Sequence, residues 1–135
     1  MKAVDTNILA RFFINDPDDA EAILQKPLAI AVMSKTVFVP SSVVLEFEWV
    51  MRGFYELSCE TIGQVLKALC GLENVMLEDR EIILTTLDSY AHGLDFADAL
   101  HLARAKHCLA FVSFDRRLQK RAKAAKLLPA VEMPT

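Results

Sequence analysis

The sequence predicts an α/β fold in which a mainly parallel sheet carries helices on both faces. Short β-branched or aromatic runs alternate with longer segments whose apolar residues recur at helical spacing. The first apolar run stops abruptly at Asp5-Thr6-Asn7, and helical spacing resumes at once with Ile8, Leu9, Phe12 and Phe13. No linker, low-complexity tract or internal repeat interrupts the chain, so its 135 residues are expected to form one domain with a sizeable core.

Each element has a local reason. A strand is expected through residue 4, followed by a tight turn and a helix from Asn7. Asp5 then stands at the carboxyl end of a strand, where open α/β sheets bind ligands. Asn15-Asp16-Pro17-Asp18-Asp19 reads as a turn and a helix start, with Pro17 in the first turn and acids at the positive end of the dipole. Pro27 is expected to break or kink that helix before a second apolar piece runs to Met33. Thr36-Val37-Phe38-Val39-Pro40 reads as the second strand. Ser41 or Ser42 caps a helix over 43–53 that is apolar nearly all the way round, as in a helix buried between layers or held in an oligomer contact. Ser58 or Thr61 starts the next helix, which Gly71 stops. A short strand at 74–77, an amphipathic helix at 78–91, a break at Gly93 and a helix at 96–107 follow. Residues 108–114 read as a buried-type strand, Asp115 leads into a basic helix, and Ala130-Val131-Glu132 reads as a last edge strand.

Composition narrows the functional classes. With 53% apolar and 24% charged residues the chain is globular and not disordered. No uncharged apolar stretch is long enough for a transmembrane helix, and the immediate entry into a strand argues against a signal peptide. The three cysteines, Cys59, Cys70 and Cys108, share no metal-type spacing and are expected to be reduced thiols in a cytoplasmic protein. The net charge of −3 is unevenly spread: residues 104–126 hold eight basic side chains against one acid, a net +7, which leaves −10 for the remainder. A basic helix on an otherwise acidic chain suits a polyanion, although such a helix also serves as a solvated face.

Four acids fall where helices or strand ends face one edge of the expected sheet: Asp5, Glu46, Asp98 and Asp115. Each has an ordinary reading as well. Asp5 and Asp115 suit helix caps, and Asp98 sits in the first turn of a helix that Asp95 caps. Glu46 lies inside an apolar helical run, where an unpaired carboxylate is costly to bury. Glu48 is two positions on and points to roughly the opposite side, so periodicity leaves open which of the two faces the crevice. Carboxylates gathered without a counter-charge repel each other, and a hard divalent cation such as Mg²⁺ or Mn²⁺ relieves that repulsion. Such an ion can also hold a phosphodiester oxygen and activate water.

Together, Asp5-Thr6-Asn7, the run from Val44 to Met51, Asp95-Phe96-Ala97-Asp98-Ala99-Leu100-His101 and Ser113-Phe114-Asp115 resemble the motifs of a PIN-domain nuclease. Their order and spacing, over essentially the whole chain, are most similar to VapC-like toxins of toxin–antitoxin pairs. The resemblance implies a PIN-like three-layer α/β/α sandwich and a Mg²⁺-dependent endoribonuclease, with Mn²⁺ as the other metal. It places Asp5, Glu46, Asp98 and Asp115 on the family's acidic positions, and so selects Glu46 over Glu48. Asp5 and Asp98 are then the most direct ligands, with Thr6, Asn7 and Ser113 as supporting polar groups. The mechanism expected with it is in-line attack of a metal-activated water on an RNA phosphodiester, leaving 5′-phosphate and 3′-hydroxyl ends. Arg11 and the basic helix, including Arg116, Arg117 and Lys120, are expected to hold the RNA backbone. The resemblance also implies a cognate antitoxin, a homodimer, and DNA contact only through the antitoxin, with no membrane role.

Further features bear on the same reading. Ile8, Leu9, Phe12 and Phe13 on one helix, with Phe47, Trp49 and Met51 on another, suit either the core or a groove for an antitoxin helix. His101 shares a helical side with Asp98, but it lacks metal-type companions, as do His92 and His107. There is no Gly-rich phosphate loop and no nucleophile-elbow serine. A phosphotransfer domain would also set an acid after its first strand, but the haloacid-dehalogenase type needs a second Asp where this chain has Asn7. A non-catalytic PIN-like subunit that tunes an antitoxin's repression is the alternative function.

Overall fold

A computed structural model describes residues 1–135, which form seven helices and five strands. The chain divides into two compact units, Met1–Arg80 and Glu81–Thr135. Every strand pairing is parallel, as the alternation of strands and helices requires, and the strands make two ladders, one of three and one of two.

In the first unit, β1 (Lys2–Ala3) pairs with β2 (Val37–Val39), which pairs with β3 (Val75–Leu77). The register is Ala3 opposite Phe38, and Phe38 opposite Met76. The crossovers are helical: α1 (Thr6–Phe13) and α2 (Ala20–Met33) link β1 to β2, and α3 (Ser41–Gly53) and α4 (Cys59–Cys70) link β2 to β3. Val37, Val39, Leu9, Phe47, Met51, Ile62, Leu66 and Leu69 are fully buried. The Phe13 and Phe47 rings stack at 6.0 Å, tying α1 to α3.

Three local expectations are corrected here. Pro17 lies in the turn before α2; Asp19 is the cap, its Oδ1 accepting from the Glu21 and Ala22 N–H groups. Pro27 does not break the helix, which runs through it to Met33. Burial of Ala22, Ala29 and Met33 on either side outweighs the lost backbone bond, and Lys26 Nζ docks onto the carbonyls of Arg11, Phe12 and Ile14. Neither Ser41 nor Ser42 caps α3. Its N-cap is Pro40, and the carboxylate of Glu78, arriving just after β3, accepts from the Ser41 N–H (2.9 Å) and hydroxyl (2.8 Å).

In the second unit, α5 (Arg80–Ala91, all but its first residue in this unit) and α6 (Phe96–Arg104) are joined at Gly93, whose φ of +94° lies in the left-handed region that favours glycine. The parallel strands β4 (Ala110–Val112) and β5 (Ala130–Glu132) flank α7 (Arg116–Ala124). Leu94, Ala99, Leu102, Leu118, Ala122 and Val131 form its core, with Phe111 and Leu127 packed against it. The expected buried strand is corrected: β4 is short and only partly covered, and Leu109, Val112 and Phe114 are exposed. An apolar run alone does not distinguish a buried strand from one that reaches solvent. No helix is long and apolar enough to cross a membrane.

Candidate functional site

Asp5 follows β1 and caps α1: the Ile8 N–H donates to its Oδ1 at 3.3 Å, which uses one acceptor position of an exposed carboxylate. Thr6, the first residue of α1, is buried, and its hydroxyl donates a short hydrogen bond to Glu46 Oε1. Glu46 therefore leans from α3 toward the start of α1, where Asp5 stands one residue before Thr6. Glu48 takes the opposite course. Only 1% exposed, it is held by Arg52 one turn on, with Nε donating to Oε2 at 3.0 Å and Nη2 to Oε1 at 3.3 Å. The buried carboxylate of the pair is thus matched by a cation, and the exposed one meets a hydroxyl.

The second unit has its own acidic group. Asp95 caps α6 by accepting from the Asp98 N–H at 3.4 Å, and Asp115 caps α7 by accepting from the Leu118 N–H at 3.0 Å. Ser113 Oγ accepts from the Asp115 N–H at 3.0 Å, which fixes the turn into α7. Asp95, Asp98, Asp115, Arg117 and Arg121 line a pocket of about 160 Å³ floored by Leu94 and Leu118. Partial burial pushes the Asp98 carboxyl above its ordinary range, Asp95 and Asp115 push it further in the same direction, and His101 opposes them. His101 itself is exposed, its ring lying parallel to that of Phe111 at 6.4 Å. Arg121 Nη1 donates to the Gly93 carbonyl at 2.9 Å, so its guanidinium is anchored beside the acids.

Two residues of this pocket escaped the sequence reading as site members. Asp95 was legible only as a cap, although it belongs to the same Asp-Phe-Ala-Asp segment as Asp98. Arg121 lies four residues after Arg117 and therefore on the same side of α7, a spacing that was available. Arg116 and Lys120 are exposed but do not line the pocket. Arg11 is half-buried and engaged, donating from Nε to Gln25 Oε1 at 2.8 Å and from Nη1 to the Tyr55 hydroxyl at 3.0 Å. Of the proposed groove residues, Leu9, Phe47 and Met51 belong to the core, whereas Trp49 is exposed.

The donor set is all oxygen, which suits a hard cation such as Mg²⁺ or Mn²⁺. No three His, Cys, Asp or Glu side chains form a ready-made cage. Mg²⁺ does not need one, because it retains several waters and takes one or two direct carboxylates. The crowding of Asp98 by two other acids is the feature that a divalent charge would relieve.

Parallel strands linked by helices, with acids at the ends of β1 and at the starts of α6 and α7, define a class: the chain belongs to the PIN domain family, whose model matches residues 2–124. Within that family it is similar to the VapC ribonuclease of Aquifex aeolicus (strain VF5), with 27% identity over 123 residues covering 89% of this chain and 91% of that protein.

Proposed function

We propose that the protein is a divalent-metal-dependent endoribonuclease and the toxin of a toxin–antitoxin pair. The observation that carries this reading is Asp98, a partly buried acid that shares a pocket with Asp95 and Asp115 and whose pKa is raised by desolvation and then by those two acids. The similarity to a VapC ribonuclease supports it along nearly the full length. Asp5 and Glu46 of the first unit, and Asp98 and Asp115 of the second, are the proposed metal-binding and catalytic carboxylates. Mg²⁺ or Mn²⁺ held by carboxylates of either unit would supply Lewis-acid polarisation of a phosphoryl oxygen and lower the pKa of a coordinated water.

The chain's own groups do the rest. Thr6 holds Glu46 in one rotamer through its hydroxyl. Asn7 completes the polar edge after Asp5, and Ser113 sets the turn that presents Asp115. Arg117 and Arg121, which line the pocket with the acids, would meet the phosphate backbone, which positions a nucleic acid without specifying its sequence. Arg116 and Lys120 extend the same basic helix.

A protein partner is part of this reading. Ile23, Leu24, Leu28 and Ile30 of α2 are exposed, and Ile23 and Ile30 border a groove of about 630 Å³ lined also by Ile14, Pro17 and Pro27. Apolar surface of this kind suits an amphipathic helix of an antitoxin, and a homodimer and cytoplasmic action belong to the same proposal. The test is incubation of the purified protein, freed of any bound partner, with total bacterial RNA in Mg²⁺, Mn²⁺ or EDTA. Discrete fragments with 5′-phosphate ends that vanish in EDTA are expected. Absence of cleavage in either metal, with the fold intact, would favour the non-catalytic regulatory subunit.

A further inference from the structure

A second cleft of the first unit lies along the same two helices as Asp5 and Glu46, and no role has been given to it. It has a volume of about 440 Å³ and is lined by Asn7, Arg11, Trp49, Phe54 and Tyr55, with Asp19 at its edge and Ala10, Val50 and Gly53 as its small or aliphatic floor. On α3, Trp49 and Val50 lie three and four residues beyond Glu46, and therefore on its side of the helix. On α1, Asn7 directly follows the threonine that bonds Glu46. The cleft thus continues from those carboxylates by about one helical turn, roughly 5.4 Å.

Its chemistry is unusual for an exposed surface. Trp49 is 62% exposed and Phe54 71%, although both are large aromatics that would normally be covered. Phe54 meets the Tyr55 ring edge-on at 4.9 Å, which holds its plane. The Tyr55 hydroxyl and Gln25 orient the Arg11 guanidinium and leave further N–H donors of its five available. Asp19 is already occupied as the α2 cap. Exposed aromatic faces, an oriented guanidinium and a primary amide are the combination that takes up an unstacked base and its phosphate in single-stranded RNA.

We propose that this cleft receives one unstacked nucleobase of single-stranded RNA, with Trp49 and Phe54 as stacking faces and Asn7 and Arg11 as polar contacts. The inference rests on the nuclease reading and names where that substrate's bases are held. A nucleotide seated there lies beside the scissile linkage, so the cleft also selects which linkage reaches Asp5 and Glu46.

Trp49 is the only tryptophan of the chain, so its fluorescence reports on this surface alone. The titration uses the full chain carrying Asp98→Asn, so that RNA is not consumed, in Mg²⁺ buffer. A single-stranded oligoribonucleotide should quench Trp49 saturably, and inorganic polyphosphate of equal charge should not. On the same background, Trp49→Ala should weaken binding of a labelled oligonucleotide about tenfold or more, the scale of one lost base stack. Gly53→Leu, placed where an added Cβ meets nothing within 4 Å, should weaken it similarly by filling the cleft. With Asp98 restored, Trp49→Ala should raise KM more than it lowers kcat. Equal quenching by polyphosphate, or unchanged RNA affinity in both variants, would overturn the inference. A Trp49 response to a bound protein partner but not to RNA would also overturn it, and would assign the cleft to a protein interface. Base-dependent quenching without any metal-dependent cleavage would uphold the cleft and remove the nuclease reading; cleavage with a silent Trp49 would do the reverse.

Discussion

A carboxylate has more acceptor capacity than a helix cap uses, and three acids of this chain are explained by that difference. Asp5, Asp95 and Asp115 each cap a helix through one oxygen, which fixes the side chain and leaves acceptor sites for a cation. Capping and metal binding are therefore separable at Asp115. Asp115→Ala is expected to lose about 1 kcal/mol of stability in urea denaturation, whereas Asp115→Asn keeps the cap and most of that stability. Both variants should lose RNA cleavage, since the charge is gone in each. At Glu48 the expectation is the reverse, a structural role without a catalytic one. Arg52→Ala removes the cation of a buried carboxylate and should cost about 1–3 kcal/mol, more than Glu48→Gln, which leaves a half-exposed Arg52 able to turn to water. The thiols separate in the same residue-by-residue way. Cys59 and Cys108 are exposed, while Cys70 is buried and its pKa is raised by desolvation, partly offset by Arg80. Iodoacetamide should add two labels to the native protein and a third only on unfolding, as read by mass spectrometry.

At the scale of elements, helix faces decide what is core and what is surface. Phe47 is fully buried on α3 and stacks on Phe13, so Phe47→Ala should cost about 3–5 kcal/mol in a denaturation curve. Trp49, two positions on, faces out, and Trp49→Ala should change stability little. Composition made α3 legible as a helix, but it hid this division because the apolar residues run round it without a polar gap. The strand and helix order was legible throughout, since β-branched runs and 3.6-residue periodicity alternate cleanly. Caps drawn from distant chain were not: Glu78 reaches the start of α3 from beyond β3, and nothing near Ser41 announces it. Pro27 within α2 misled for a related reason, because packing on both sides outweighs a local penalty. The acids Asp5, Glu46, Asp98 and Asp115 were visible as a set, but the choice of Glu46 over Glu48 needed the PIN resemblance. In the structure, Glu46 accepts from the Thr6 hydroxyl and Glu48 pairs with Arg52.

For the molecule as a whole, membership of the PIN family joins an acidic chain with a basic α7 to a metal-dependent account of RNA cleavage. On the proposed function, the mutual repulsion of Asp95, Asp98 and Asp115 is what a bound divalent charge would offset. Mg²⁺ or Mn²⁺ should therefore raise the melting temperature of the wild type, and EDTA should reverse the rise; Asp98→Asn should shrink it. The most direct test is a parallel measurement of RNA cleavage rates at saturating Mg²⁺ for the wild type, Asp5→Asn, Glu46→Gln and Glu48→Gln, each first checked for fold by circular dichroism. Loss of about a hundredfold or more is expected for Asp5→Asn and Glu46→Gln, with Glu48→Gln retaining most of the wild-type rate. Wild-type cleavage by Asp5→Asn, or equal loss in Glu46→Gln and Glu48→Gln, would contradict the assignment of the metal-binding carboxylates.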